Sequence, residues 1–240
     1  VISDRRIPFN GAVTGALADR VTTRINYFNN KDPKKPIFIV IDDSPGGSVM
    51  AGYRILKAME GSEAPIYVVV KSFAASMAAT ITTLAEKSFV YPNAIILHHQ
   101  ISQSFMFSSM NLTEQKENVE DLKKWWARLA DPIAEKMGIT SDEFIEMMYK
   151  KTVSGDWTEF GDDAVKLKWA DHVVNRIHET ALLKNPDAKS AAPTPTRSAA
   201  IENGLTPAID DNGNHYMILP RRNPKDLYLM HNPDGFYRFK

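Results

Sequence analysis

The uninterrupted β-branched and aromatic run Ile37-Phe38-Ile39-Val40-Ile41 constrains the fold more than any other segment. Successive side chains of a strand face opposite sides, so a strand with one solvated face alternates apolar with polar residues. A run without a polar position fits a strand covered on both faces, as in parallel sheets flanked by helices. Ile66-Tyr67-Val68-Val69-Val70 and Ala94-Ile95-Ile96-Leu97 repeat the pattern, and Ile7-Pro8-Phe9 reads as a short entry strand. Between these runs, Val49, Tyr53, Leu56 and Met59 recur at helical spacing over 48–60, and 14–29 carries a weaker helical pattern. Residues 76–85 are small or apolar nearly all round, which predicts a buried helix. Shorter helices are expected at 141–150 and 162–168, with His172-Val173-Val174 as a closing strand. This alternation gives an α/β fold with a largely parallel sheet.

One long, charged, amphipathic helix is expected from Leu112 to Met137, carrying Trp125, Trp126 and Leu129. Gly138 suits its C-cap, and Thr140 or Ser141 the next N-cap. After Lys184 the composition changes. Residues 185–200 are rich in Pro, Ala, Ser and Thr and lack apolar periodicity, so they read as an extended linker. Farther on, Asn212-Gly213 and Asn232-Pro233-Asp234-Gly235 are turn signals near the β-prone runs Tyr216–Leu219 and Phe236–Phe239. Two small hairpins are expected. The organisation is therefore a body over 1–183, a linker over 184–200 and a β-rich extension over 201–240.

Lys plus Arg and Asp plus Glu both number 29, so no net charge draws the chain toward nucleic acid or a membrane surface. There is no cysteine, which excludes disulfides, thiolate nucleophiles and cysteine metal sites. No apolar run reaches membrane-spanning length, and no signal peptide is visible.

The chemistry converges at three strand ends. The first strand runs into Asp43-Ser44-Pro45-Gly46-Gly47, the second through Phe73-Ala74-Ala75 into Ser76, and the third ends at His98-His99-Gln100. In a parallel sheet these carboxyl ends share one side, where sites form. A serine hydroxyl is a weak nucleophile until a base takes its proton, and a histidine on the next strand can do so. Gly46-Gly47 leaves backbone N–H groups free to face an oxyanion. Taken singly, a serine at a helix start is ordinarily an N-cap, and Gly-Gly is ordinarily a turn. The residue pattern by itself reaches an α/β protein with a possible acyl-transfer site.

Ser44-Pro45-Gly46-Gly47-Ser48-Val49, Ala51-Gly52, Ala74-Ala75-Ser76-Met77-Ala78, Tyr91-Pro92-Asn93 and His99-Gln100 occur in that order. Over roughly residues 5–175 this set closely resembles the ClpP family, the proteolytic subunit of the Clp protease. The resemblance implies a ClpP/crotonase-like fold of repeated ββα units with a protruding handle helix, matched by 112–137. It implies a serine endopeptidase acting on extended peptides or unfolded proteins. Ser76 matches the nucleophile, His99 the base and Asp156 the acid, with Asp131 and Asp162 as fallbacks for the acid. Gly47 and Met77 match the oxyanion-hole positions. Substrate would pair as a strand with Ser48 and Val49 on one side and with Ser102 and Gln103, from the edge over 102–107, on the other.

The resemblance further implies a homo-oligomer of stacked rings in the cytoplasm, with no metal and no cofactor in the chain itself. ATP would enter only through a AAA+ unfoldase partner, although Val1 stands almost at the first core strand, where family members carry an axial segment. Adjacent Trp125 and Trp126 would place apolar surface on more than one face of the handle, which favours a subunit contact. Two alternatives are a Ser-Lys hydrolase of the signal-peptide-peptidase type, which shares the Ser-Pro-Gly-Gly turn, and a catalytically inactive scaffold or adaptor subunit.

Overall fold

The computed structural model describes residues 5–103, 109–178, 204–220 and 227–239; the expected linker lies outside them. Its body contains β1 (Arg6–Pro8), α1 (Gly15–Lys31), β2 (Ile37–Ser44), β3 (Gly46–Ser48), α2 (Val49–Glu60), β4 (Ile66–Ala75) and α3 (Met77–Thr83). These are followed by β5 (Lys87–Val90), β6 (Ile95–His98), α4 (Leu112–Met137), α5 (Ser141–Lys151), β7 (Trp157–Phe160), α6 (Gly161–Lys166) and β8 (His172–Val173). The C-terminal part adds β9 (Thr206–Ile209), β10 (His215–Leu219), β11 (Tyr228–Met230) and β12 (Tyr237–Phe239).

Strands β1, β2, β4, β5 and β8 are parallel neighbours in that order. Strand β4 is ten residues long and pairs twice. Tyr67–Val70 pair with β5, whereas Phe73–Ala75 pair with β6, which in turn meets β7 antiparallel. The second pairing places Ala75 opposite Leu97, so Ser76 and His98-His99 emerge from neighbouring strand ends.

The apolar run of β2 is covered on both faces. Ile37, Ile39 and Ile41 join the main core with Ile7, Val68 and Val70, while Phe38 and Val40 form a smaller cluster with Val69 on the other side. Caps fix the helix ends: Thr14 accepts from Leu17 N at 3.2 Å, and Ser48 accepts from Ala51 N at 3.1 Å. Asn111 and Glu114 form a capping box on α4, and Gly138 ends it in the left-handed conformation at φ 83°.

Trp125 and Trp126 are engaged within their own chain. Trp125 packs edge-on against Tyr53 at 5.5 Å, and Trp126 stacks on Phe144 at 6.3 Å. They therefore give no support to the subunit contact argued from their adjacency. The large exposed apolar side chains of α4 are Leu112 and Val119.

In the extension, β9 and β10 form an antiparallel hairpin and β12 joins β10 in parallel. Asn232 supports the second reversal, its side chain bonding the N–H and C=O of Tyr237. That reversal closes no hairpin, because β11 gives its backbone to β3 instead. Leu205 and Leu219 anchor the extension on Ala12.

His98 points into the core, between Phe144 and Trp169. The Thr83 hydroxyl donates to Trp169 O, so it accepts from His98 Nε2 at 3.1 Å. Burial, with a smaller push from His99, lowers the His98 pKa to about 3. The folded state therefore binds this proton more weakly than the unfolded chain. Stability should be complete above the ordinary histidine pKa of 6.5 and fall as pH drops toward about 3. The slope should approach ~1.4 kcal/mol per pH unit, with a total of up to about 5 kcal/mol. Urea unfolding across this range should lose that part of its slope in His98→Gln.

Candidate active site

Ser76 forms the junction between β4 and α3. Its backbone adopts φ 57°, ψ −119°, a left-hand conformation that costs a non-glycine residue ~1–3 kcal/mol. Two bonds hold the turn: Ser76 N donates to Leu97 O at 2.8 Å, and Thr80 N donates to Ser76 O at 2.9 Å. Small buried side chains at Ala74, Ala75, Ala78 and Ala79 surround it. Although Ser76 occupies the N-cap position, its Oγ makes no capping bond. The hydroxyl instead contacts His99 Nε2.

His99 follows the end of β6, with Nδ1 2.6 Å from Gln100 O. A carbonyl cannot donate, so Nδ1 carries the proton and Nε2 keeps its lone pair toward Ser76. Burial lowers the His99 pKa, the Gln100 carbonyl and the Asp156 charge oppose that shift, and His231 adds to it. The ring is therefore neutral at neutral pH.

Asp156 stands just before β7. Its carboxylate accepts from Ser154 Oγ at 3.1 Å and lies 3.8 Å from His231 Nδ1. It acts on His99 through its charge, while the Nδ1 proton is taken by Gln100 O. Asp131, bonded to the Ser141 hydroxyl, and Asp162, in the first turn of α6, are exposed helix residues.

Gly46 and Gly47 shape the opposite wall, at φ 82° and 155°. A Cβ on Gly47 would lie 2.5 Å from Val13 O. The Gly46 face is tighter still. A Cβ there would meet Leu229 O at 2.3 Å, Ser76 Cβ at 2.6 Å and Met77 N at 2.7 Å. Glycine thus lets the hydroxyl-bearing residue, the first N–H of α3 and a peptide carbonyl converge.

That carbonyl belongs to β11. Tyr228, Leu229 and Met230 pair antiparallel with Ser48, Gly47 and Gly46. Val49 N donates to Leu227 O at 2.7 Å, and His231 N donates to Pro45 O at 2.8 Å. Ser102 bridges Tyr228 from the other side. Ser48, Val49 and Ser102 thus face a strand of the chain itself. Gln103 lines a neighbouring cavity of about 460 Å³ with Met50, Trp125 and Leu227. Residues 104–107 of the expected second edge lie outside the described residues. Sequence reasoning missed Leu227–His231. The apolar run Leu227-Tyr228-Leu229-Met230 was visible, but a short β-prone run does not name its pairing partner. Among the described residues, no cluster of His, Cys, Asp and Glu could hold a metal ion.

Residues 1–176 match the family described as Clp protease. The chain is 28% identical over 177 residues to "ATP-dependent Clp protease proteolytic subunit 2" of Tropheryma whipplei (strain Twist), covering 72% of this chain and 92% of that protein. It is 29% identical over 186 residues to "ATP-dependent Clp protease proteolytic subunit" of Leuconostoc citreum (strain KM20), covering 77% and 90%. A third relative with that same name, from Ligilactobacillus salivarius (strain UCC118), is 34% identical over 102 residues, covering 42% and 51%. With most of the body matched in order, and the α/β fold arranged around the Ser76 turn, the chain belongs to the Clp protease family.

Proposed function

We propose that the chain is a serine endopeptidase that hydrolyses extended peptides and unfolded proteins, with Ser76 as nucleophile and His99 as general base. The contact between Ser76 Oγ and His99 Nε2, at a strained strand-to-helix turn, carries this reading. His99 takes the hydroxyl proton as Oγ attacks the peptide carbonyl. The N–H groups of Gly47 and Met77 receive the oxyanion, and His99 then protonates the leaving amine. Water repeats the sequence on the acyl-enzyme. Asp156 serves as the acid, stabilising the imidazolium by charge and by accepting from Nδ1 when His99 turns from Gln100 O. Substrate lies as a strand between Ser48-Val49 and Ser102-Gln103.

The same reading makes the protein a homo-oligomer of stacked rings in the cytoplasm. Relatives named "ATP-dependent" support a AAA+ unfoldase as the source of ATP coupling, with none of that chemistry in this chain. The test is digestion of an unstructured protein by the assembled full chain. Internal cleavage products are expected, and their absence, or their persistence in Ser76→Ala, overturns the reading.

A further inference from the structure

The segment Leu227–His231 lies where a substrate strand would lie. It pairs with β3 on one side and meets Ser102 on the other, with Leu227 and Leu229 buried. In an antiparallel ladder, alternate residue pairs exchange hydrogen bonds. The bonds from Val49 to Leu227 and from His231 to Pro45 put Leu229 and Gly47 in the bonding phase between them. The Leu229 carbonyl therefore faces the Gly47 backbone, and its oxygen shares the Gly46 face with Ser76 Cβ and Met77 N. Leu229 fills the place of the residue whose carbonyl is attacked, and Met230 that of the leaving amine.

We infer that Leu229–Met230 is a self-cleavage site, an inference that rests on Ser76 being the nucleophile. Ser76 Oγ bonds to the Leu229 carbonyl carbon while His99 Nε2 takes the hydroxyl proton. The Leu229–Met230 C–N bond breaks, and that proton passes to the Met230 nitrogen. Water, deprotonated by His99, releases Leu229 as a carboxylate, and Ser76 regains its proton. One water is consumed and no other reactant is needed. The Nδ1 bond to Gln100 O holds the tautomer this first turnover requires. Cleavage also cuts the covalent link between His231, 3.8 Å from the Asp156 carboxylate, and the body, leaving the fragment held through the pairing of β12 with β10.

The experiment is a time course of intact mass on the purified full chain at neutral pH, at several protein concentrations. The expected products are a body ending at Leu229 and a peptide running from Met230 to Lys240. They should form at a rate independent of concentration, and neither should form in Ser76→Ala. Met230→Pro should also stay intact. Fluorophosphonate labelling of Leu229→Asp, whose charge cannot stay in the buried seat, is measured in parallel. An intact wild-type chain beside a labelled Ser76 in Leu229→Asp overturns self-cleavage and leaves the nucleophile standing. An intact chain with Ser76 unlabelled in both overturns both. Cleavage at another bond, or cleavage that persists in Ser76→Ala, overturns the assigned site.

Discussion

Ser76→Ala should lower hydrolysis of an unstructured protein by about 10⁴-fold or more while leaving the fold intact. The variant removes only Oγ, which makes no helix-capping bond and whose contact is with His99. Alanine inherits the same positive φ, so the strain at this junction does not change appreciably. The loss is therefore chemical, and the urea midpoint should barely move. His99→Ala should cause a loss of similar order. The double variant should be little worse than either single one if, as proposed, nucleophile and base act in one step. Independent, multiplicative losses would contradict a shared step.

Gly46→Ala should have the second large effect. The added Cβ would meet three atoms of two separate segments, Leu229 O on one and Ser76 Cβ and Met77 N on the other, all under 3.0 Å. Met77 N and Ser76 Cβ cannot swing aside as a flexible side chain would, because both belong to the β4–α3 junction. Displacing Met77 N, the proposed oxyanion donor, should cost about 10²–10³-fold in rate, and the shift of Ser76 adds to it. Gly213→Ala supplies the comparison. Its φ of 84° is nearly that of Gly46, yet nothing lies within 4 Å of its Cβ position. It should lose only the backbone strain, on the order of 1 kcal/mol, with hydrolysis unchanged. Equal activities in the two variants would show that crowding at Gly46 does not matter.

Much of the body was legible because its signals are local. The buried run of β2 and the helical stripe over 48–60 identify their own elements. Strand β5, Lys87–Val90, was not anticipated, since a short run beginning Lys-Ser has no sustained period. The approach of Ser76, His99 and Gly46-Gly47 followed from strand order, because parallel strands bring their carboxyl ends together. Side-chain partnership was less legible. The adjacency of Trp125 and Trp126 suggested contact surface, yet both are partly buried in their own chain, packed against Tyr53 and Phe144. The pairing of β11 with β3 is longer in range still, joining the C-terminal extension to the Gly46-Gly47 turn early in the body. Its register depends on the glycine wall and on Leu227 and Leu229 finding buried seats, which no local pattern encodes.

Under the proposed mechanism Ser76 is a nucleophile activated by neutral His99. Mass mapping of a fluorophosphonate adduct tests it most directly, with rates followed against pH in the full chain, Leu229→Asp and His99→Ala. A single adduct on Ser76 is expected, with Leu229→Asp at least as reactive as the full chain and His99→Ala inert. Because burial dominates the downward shift of His99, the rate should rise through an inflection below 6.5 and level off by neutral pH. No adduct on Ser76 in Leu229→Asp, or labelling undiminished in His99→Ala, would contradict it.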